Sequence, residues 1–364
     1  MERTLPNSDP NVKSGSQKAV NHLRLVCIIA VVLSAGCERD QFATSSDLDR
    51  YVIVFARNDT PLNAPTGTKR SLYRMQGDGP NVTDLSRHPQ GGYDFSVPGY
   101  DWNPVFSPNG AYIAFQSKRD RNYEIYRMNA DGSNVLNLTN WSDYDEDFRW
   151  SPDGSRIAFS RLDSGVYRIF VMNSDGSQLV GLTTPTSFSR YPDWSPDGSK
   201  IVFSRLIVGG TGMFFQVMTM NSDGSNQQSL TDSTESAKFP RWSKNGGRIF
   251  YFVVSFGMAY HDVIGPGHAS LAPGFFPGDN ISFSPDGSRF VTDGLKIVDM
   301  NLQVSSAFNV EGGSPEWSSD GNWIVFIRTV GGGSSCLFVV RPDGSDEKQI
   351  TTSQYGDLYP AWEP

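Results

Sequence analysis

The sequence predicts an all-β fold, a single closed β-propeller of seven four-stranded blades, with six blades as the alternative count. Three observations lead there. An aromatic residue followed by a Ser-Pro-Asp-Gly-like turn recurs along the chain, an Asn-x-Asp-Gly-Ser turn recurs between those copies, and each chain end holds part of one repeat. The first motif stands at Phe106-Ser-Pro-Asn-Gly110, Trp150-Ser-Pro-Asp-Gly154, Trp194-Ser-Pro-Asp-Gly198, Trp242-Ser-Lys-Asn-Gly246, Phe283-Ser-Pro-Asp-Gly287 and Trp317-Ser-Ser-Asp-Gly321, with a truncated copy at Trp362-Glu-Pro364. The second has its Asp-Gly at residues 131–132, 175–176, 223–224 and 343–344, with an early copy at 78–79.

One period, residues 150–193, shows the order of elements. Phe148 to Trp150 is a short strand, Arg156 to Ser160 alternates like a half-buried strand, Tyr167 to Met172 is a third and Gln178 to Thr183 a fourth. Asp175-Gly176 predicts a tight hairpin, because glycine accepts the positive φ that primed turns require. At the N-terminal end, Tyr51 to Ala56, Ser71 to Met75 and Asn81 to Leu85 match strands two to four of a period, and Leu358 to Glu363 matches a first strand. Joining the two ends completes a seventh blade and removes the exposed sheet edges. The short period from 283 to 316 still accommodates four strands.

Composition agrees with a turn-rich globular chain. Of 364 residues, 36 are Gly and 22 Pro; 19% are charged against a typical ~25%, and aromatics make up 12%. Length alone would imply two or three domains at roughly 150 residues each, but the repeats assign residues 50–364 to one ring. The net charge of -8 gives no electrostatic footing on phosphate backbones, so nucleic acid is not expected as a partner. Cysteines at 27, 37 and 336 are too few and too scattered for a disulfide framework or a zinc site, and Cys336 reads as a small buried hydrophobe.

Residues 1–36 read as a signal peptide. The apolar run from Leu25 to Gly36 follows basic Lys13, Lys18 and Arg24 and is too short to span a ~30 Å hydrocarbon core. It ends in Leu33-Ser-Ala-Gly-Cys37, which resembles a bacterial lipobox. That resemblance implies cleavage after Gly36, lipidation of Cys37 and, with Glu38 following, sorting to the outer membrane of the cell envelope. Residues 37–49 then form the lipidated terminus and a polar tether.

The repeat motifs together resemble the TolB-type propeller, also called WD40-like or PD40 repeats, over about residues 50–364. The Gly-His and Trp-Asp signatures of WD40 repeats are absent. The resemblance implies a monomeric, non-enzymatic envelope propeller that binds a protein, peptide or glycan partner. The N-terminal domain through which TolB works is expected to have no counterpart here. An envelope hydrolase or lyase acting on carbohydrate or peptide, with its site in the channel mouth, is the alternative.

Alternation of strand direction puts the repeated turns on one face, where their aspartates bond local backbone and act as scaffold. The loops between strands two and three, and from strand four to the next blade, share the other face and vary from blade to blade. Binding residues usually reside in such loops. Candidates there are Arg119, Arg121, Tyr123, Trp141, Tyr144, Arg190 and Tyr191, with further loops at 207–215 and 256–276. Lys118, Arg119 and Arg121 could instead pair with Asp145, Glu146 and Asp147. Arg149, Asp193, Arg241 and Glu316 precede the anchor aromatics, and their alternating sign implies an ion network on the channel wall or, alternatively, a small-molecule site in the channel mouth.

No catalytic motif emerges. The run Asp143-x-Asp145-x-Asp147 begins like a calcium loop but has Phe148 where glycine is required and Gly154 at the twelfth position. Walker A, Gly-x-Gly-x-x-Gly, His-Glu-x-x-His and Gly-x-Ser-x-Gly patterns are absent. His22 falls in the leader and His88 is isolated. His261 and His268, near Asp262, make at most a partial metal site, so no cofactor or metal is expected.

Overall fold

The computed structural model describes residues 47–59, 70–86, 100–209, 212–231, 236–254, 257–263, 268–270, 280–307, 312–331, 333–354 and 356–364. The leader, Cys37, most of the tether and His88 lie outside the described residues. Seven separate four-stranded antiparallel sheets form a β-propeller, so the count is seven and not six. Blade 1 pairs Asp357–Trp362 with Val52–Asn58, Arg70–Gln76 and Thr83–Asp84. Blades 2 to 7 follow in chain order over residues 101–137, 145–181, 189–229, 237–270, 281–307 and 313–349. The predicted closure is present: Trp362 pairs with Ile53 and Asp357 with Arg57 across the two ends of the chain.

The packing follows from strand alternation. In Val52–Asn58, Val52, Val54 and Ala56 pack with Phe106, Ile113 and Phe115 of blade 2, whereas Ile53 and Phe55 pack with Trp323, Val325 and Leu337 of blade 7. Each of the seven apolar clusters among the described residues straddles one blade-to-blade junction. The free Cys336 is buried at the junction of blades 6 and 7, as a small apolar side chain would be.

A second junction device uses the anchor tryptophans. The indole Nε1 of Trp150 donates to the Val105 carbonyl (3.3 Å), that of Trp194 to Arg149 (3.2 Å) and that of Trp362 to Glu316 (3.0 Å), each one blade back. Where the equivalent residue has a short polar side chain, that side chain takes over. Asp193 Oδ2 accepts from the Trp242 backbone N–H at 2.8 Å, and Ser282 Oγ from that of Trp317 at 3.1 Å.

The repeated turns are scaffold in their hydrogen bonding. Asp153 Oδ1 accepts from Ser151 Oγ (2.6 Å) and the Ser155 backbone N–H (3.0 Å), while Ser151 Oγ accepts from the Arg156 N–H (2.9 Å). The same set recurs at Asp197 and Asp286. These bonds hold the three carboxyls down at about 2.

The Asp-Gly hairpins differ from expectation in turn type. Gly176 has φ +85° but Asp175 is not left-handed; the bonds run from Gly176 N–H to Asn173 O and from Asn173 N–H to Ser177 O. This is an ordinary turn closed by a left-handed glycine, not a primed two-residue turn. A Cβ on Gly176 would also meet the Leu138 carbonyl of the preceding blade at 2.9 Å, so this turn is docked as well as folded.

Trp362 is 5% exposed and combines ring closure, apolar packing and an indole bond. Trp362→Ala should lower the unfolding free energy by about 3–5 kcal/mol in urea titrations. Trp362→Phe, which removes mainly the N–H, should cost about 1 kcal/mol.

Candidate functional site

The inner strands place the channel mouth. In six blades the third residue before the anchor aromatic is left-handed without being glycine: Asn103, Asp147, Tyr191, Phe239, Ser314 and Tyr359, with φ between 46° and 61°. The strand pairing slips at each of these places. A proline follows in five of them, at 104, 192, 240, 315 and 360, and it has no N–H to give to the ladder. The result is a ring of bulges. Asn103, Asp147, Tyr191, Phe239 and Tyr359, together with Asn280 of blade 6, line an upper cavity of ≈ 200 Å³.

Below the mouth, Arg149 and Arg241 line both this cavity and a lower one of ≈ 470 Å³. Asp193 lies between them, 3.9 Å from Arg149 Nε and 3.5 Å from Arg241 Nε. Burial and the charge of Arg241 push the Arg149 guanidinium down to about 10. Glu316 lines the lower cavity two blades further on and makes no ion pair among the described residues; burial pushes its carboxyl up to about 8 against the pull of Lys244, Arg241 and Arg149. Of the four expected wall charges, three meet and Glu316 stands apart.

On the variable-loop face, none of Lys118, Arg119 and Arg121 pairs with residues 145–147. Asp145 is buried and takes both arms of Arg161 (2.7 and 2.9 Å), while Glu146 and Asp147 are bound by Arg190 across the blade 3–4 junction (2.8 and 2.9 Å). Arg119 is itself committed to the buried Asp101 at 2.8 Å and lies over the Phe115 and Tyr126 rings. Arg190 stacks on Tyr167 and Tyr191 and is held charged by its two carboxylates. Arg121 is an exposed turn residue at φ 79°.

Of the aromatic candidates, Tyr123 and Tyr144 meet, while Trp141 and Tyr191 pack elsewhere. Tyr100, Trp102, Tyr123 and Tyr144 form a continuous series, with ring centroids 5.5, 4.8 and 5.1 Å apart. Trp141 lies over the Arg161 guanidinium at 4.6 Å, and both Trp141 and Tyr144 are about two-fifths exposed. Tyr191 packs on Phe239 at 4.4 Å. In blade 4 the long hairpin of Lys200–Gly209 and Gly212–Asn221 rises from the same face with Val208 and Met213 about three-quarters exposed.

Sequence reasoning missed Glu124. It is 1% exposed, and its carboxylate accepts from the Trp141 backbone N–H (2.9 Å), from Asn122 Nδ2 (2.6 Å) and from Thr139 Oγ1. Burial, with Asp145 nearby, raises it to about 7. The only sequence signal was a charged residue opening a strand that should begin apolar. For the metal candidates, the strand register sets His261 opposite His268, whose side chain lies outside the described residues. Asp262 is bound by Arg248 at 2.7 Å, and among the described residues no three His, Cys, Asp or Glu side chains converge on a point.

A carboxyl raised in the fold stabilises below its unfolded value, and that contribution is lost as pH rises through the folded one. Glu124 should therefore cost stability progressively between pH 4.5 and 7. Glu124→Gln, which keeps an acceptor for Trp141 N–H, should remove that decline and raise the melting temperature above pH 7, as thermal unfolding across pH would read.

Residues 93–252 match the PD40 family, described as the TolB beta propeller domain. The Tol-Pal system protein TolB of Francisella tularensis is 34% identical over 105 residues, 27% of this chain and 24% of the relative, so the match spans about a quarter of that protein's length. Among solved structures, TolB from Acinetobacter baumannii aligns with a TM-score of 0.54 at 17% identity, over 97% of this chain and 74% of that one. A Mycobacterium tuberculosis puromycin-hydrolyzing peptidase aligns at 0.62 and 13% identity (86% and 56% covered), and an oligogalacturonate lyase in complex with manganese at 0.56 and 11% (69% and 76%). At such identities these structures share the fold alone. The seven-bladed ring of this chain is a β-propeller, and its residues 93–252 are similar to the TolB beta propeller domain.

Proposed function

We propose that this protein is a non-enzymatic binding propeller of the bacterial cell envelope, held at the membrane through a lipid on Cys37, that recognises an envelope protein through its variable-loop face. The observation that carries the reading is the grouping there of exposed aromatic and apolar side chains. Trp141 and Tyr144 stand beside the Tyr100 to Tyr123 series, and Val208 and Met213 stand on the raised hairpin. Aromatic rings over cations, as in Trp141 on Arg161, present large rigid contact area at low entropic cost, as binding hot spots do. The similarity to Tol-Pal system proteins named TolB supports an envelope partner.

Capture of partners from native envelope, read by mass spectrometry, tests this directly. Trp141→Ala combined with Tyr144→Ala, and separately Met213→Asp, should each reduce recovery of the specific partner at least tenfold without changing the melting temperature. Asp175→Ala in a scaffold turn should do the reverse. Equal loss from both faces would defeat the assignment. For the anchor, Cys37→Ser should release the protein from membranes, and the wild type should carry an acyl mass on that residue.

A further inference from the structure

We infer that the waist of the channel, between Arg149 and Arg241, is a binding site for an organic carboxylate that enters through the aromatic mouth. The site is distinct from the loop-face surface and does not depend on it.

Two guanidiniums share a single carboxylate there, and they share it poorly. Asp193 spends Oδ2 on the Trp242 backbone N–H. It stands 3.9 and 3.5 Å from the two Nε atoms, and both Nε atoms are buried without a hydrogen-bond partner among the described residues. Buried guanidinium N–H groups left unpaired cost several times a neutral hydrogen bond, so a further acceptor at this point would be strongly favoured. Lys244 lines the lower cavity as a third cation. Glu316, pushed up to about 8 by burial, adds little negative charge near neutral pH. Asp147, the acid of the mouth, is already bound by Arg190. A chain of net charge -8 thus keeps an excess of positive charge at the centre of its ring.

The chemistry of the ligand follows from the two zones. At the waist, planar guanidinium forks match a carboxylate in bidentate geometry. In the mouth above it, Trp102, Tyr191, Phe239 and Tyr359 offer ring faces, and Asn103 and Asn280 offer amide groups, for the organic body behind that carboxylate. A peptide C-terminus and a uronic acid share this chemistry.

Calorimetric titration of the full chain with four probes separates the sources: acetyl-trialanine as free acid and as C-terminal amide, and trigalacturonate beside neutral maltotriose. At least one acid should bind, its neutral counterpart should bind at least tenfold more weakly, and rising salt should weaken the acid. Arg149→Gln and Arg241→Gln should each reduce affinity for that acid tenfold or more with melting temperature checked, Arg149→Lys should retain part of it, and the loop-face pair Trp141→Ala and Tyr144→Ala should leave it unchanged. If one glutamine variant fails to fold, the other carries the test. Failure of both acids to bind at millimolar concentration, equal binding of acid and neutral probe, or unchanged affinity in a folded glutamine variant would overturn the assignment. None of these results bears on partner capture by the loop face.

Discussion

No blade of this protein owns a core. Because successive side chains of a strand face opposite ways, the apolar residues of each blade are divided between two neighbours: Ile53 and Phe55 belong to the junction with blade 7, Val52 and Val54 to the junction with blade 2. Each buried side chain of this size contributes about 1.5–3 kcal/mol, and a junction holds several. Leaving one junction open would forfeit an amount comparable with the whole net stability of a typical domain, about 5–15 kcal/mol. Closure by Asp357–Trp362 against Val52–Asn58 is therefore a condition for the other six junctions, and the distant chain ends are bound to meet.

Closure also explains why one face is uniform and the other is not. On the turn face, the glycine of four Asp-Gly hairpins sits against a leucine or isoleucine at the outer strand of the blade before it: Gly79 on Ile350, Gly132 on Leu85, Gly176 on Leu138 and Gly224 on Leu182. These turns are parts of the junctions, so they repeat. The loop face is held from below by ion pairs on buried aspartates at the start of the inner strands, Arg119 with Asp101, Arg161 with Asp145 and Arg57 with Asp357. Such pairs fix geometry more than they add stability. Blade 4 replaces the acid with Ser189, blade 5 with Ala237 and blade 7 with Gly312.

The fold was legible because its signals are local and periodic. The anchor aromatics, the Asp-Gly turns and the alternating strands are each visible within a window of a few residues, and the split repeat at the two ends gave both the closure and the blade count. The site was less legible because its geometry is made between blades. Arg119 looked like a loop cation, but its partner Asp101 opens the first strand of the same blade, opposite Ser117, and the partner of Glu146 and Asp147 is Arg190, a full period away. The bulges were readable in principle. A proline two residues before each anchor aromatic removes a ladder donor in five blades, and that signal is as regular as the turns. Glu124 carries no such pattern, because its carboxyl is held by Asn122, Thr139 and the Trp141 backbone, whose nearness arises only when the blade is folded.

The ring of bulges ties the scaffold to the chemistry it could perform. A left-handed non-glycine residue costs on the order of 1–3 kcal/mol, and the propeller accepts that cost at the same position in six blades. Five of the six bulge residues line the mouth, and the wall residue, Arg149, Asp193, Arg241 or Glu316 where it is charged, stands two positions further along the strand. Where the repeat is most regular in backbone it is therefore least regular in side chain. Val105, Ser282 and Ala361 occupy the same wall position as the charged residues, so the charges are not a requirement of the fold. A position that the scaffold leaves open to valine, serine or alanine, yet fills with two partly unpaired arginines about one aspartate, is shaped by what enters the channel.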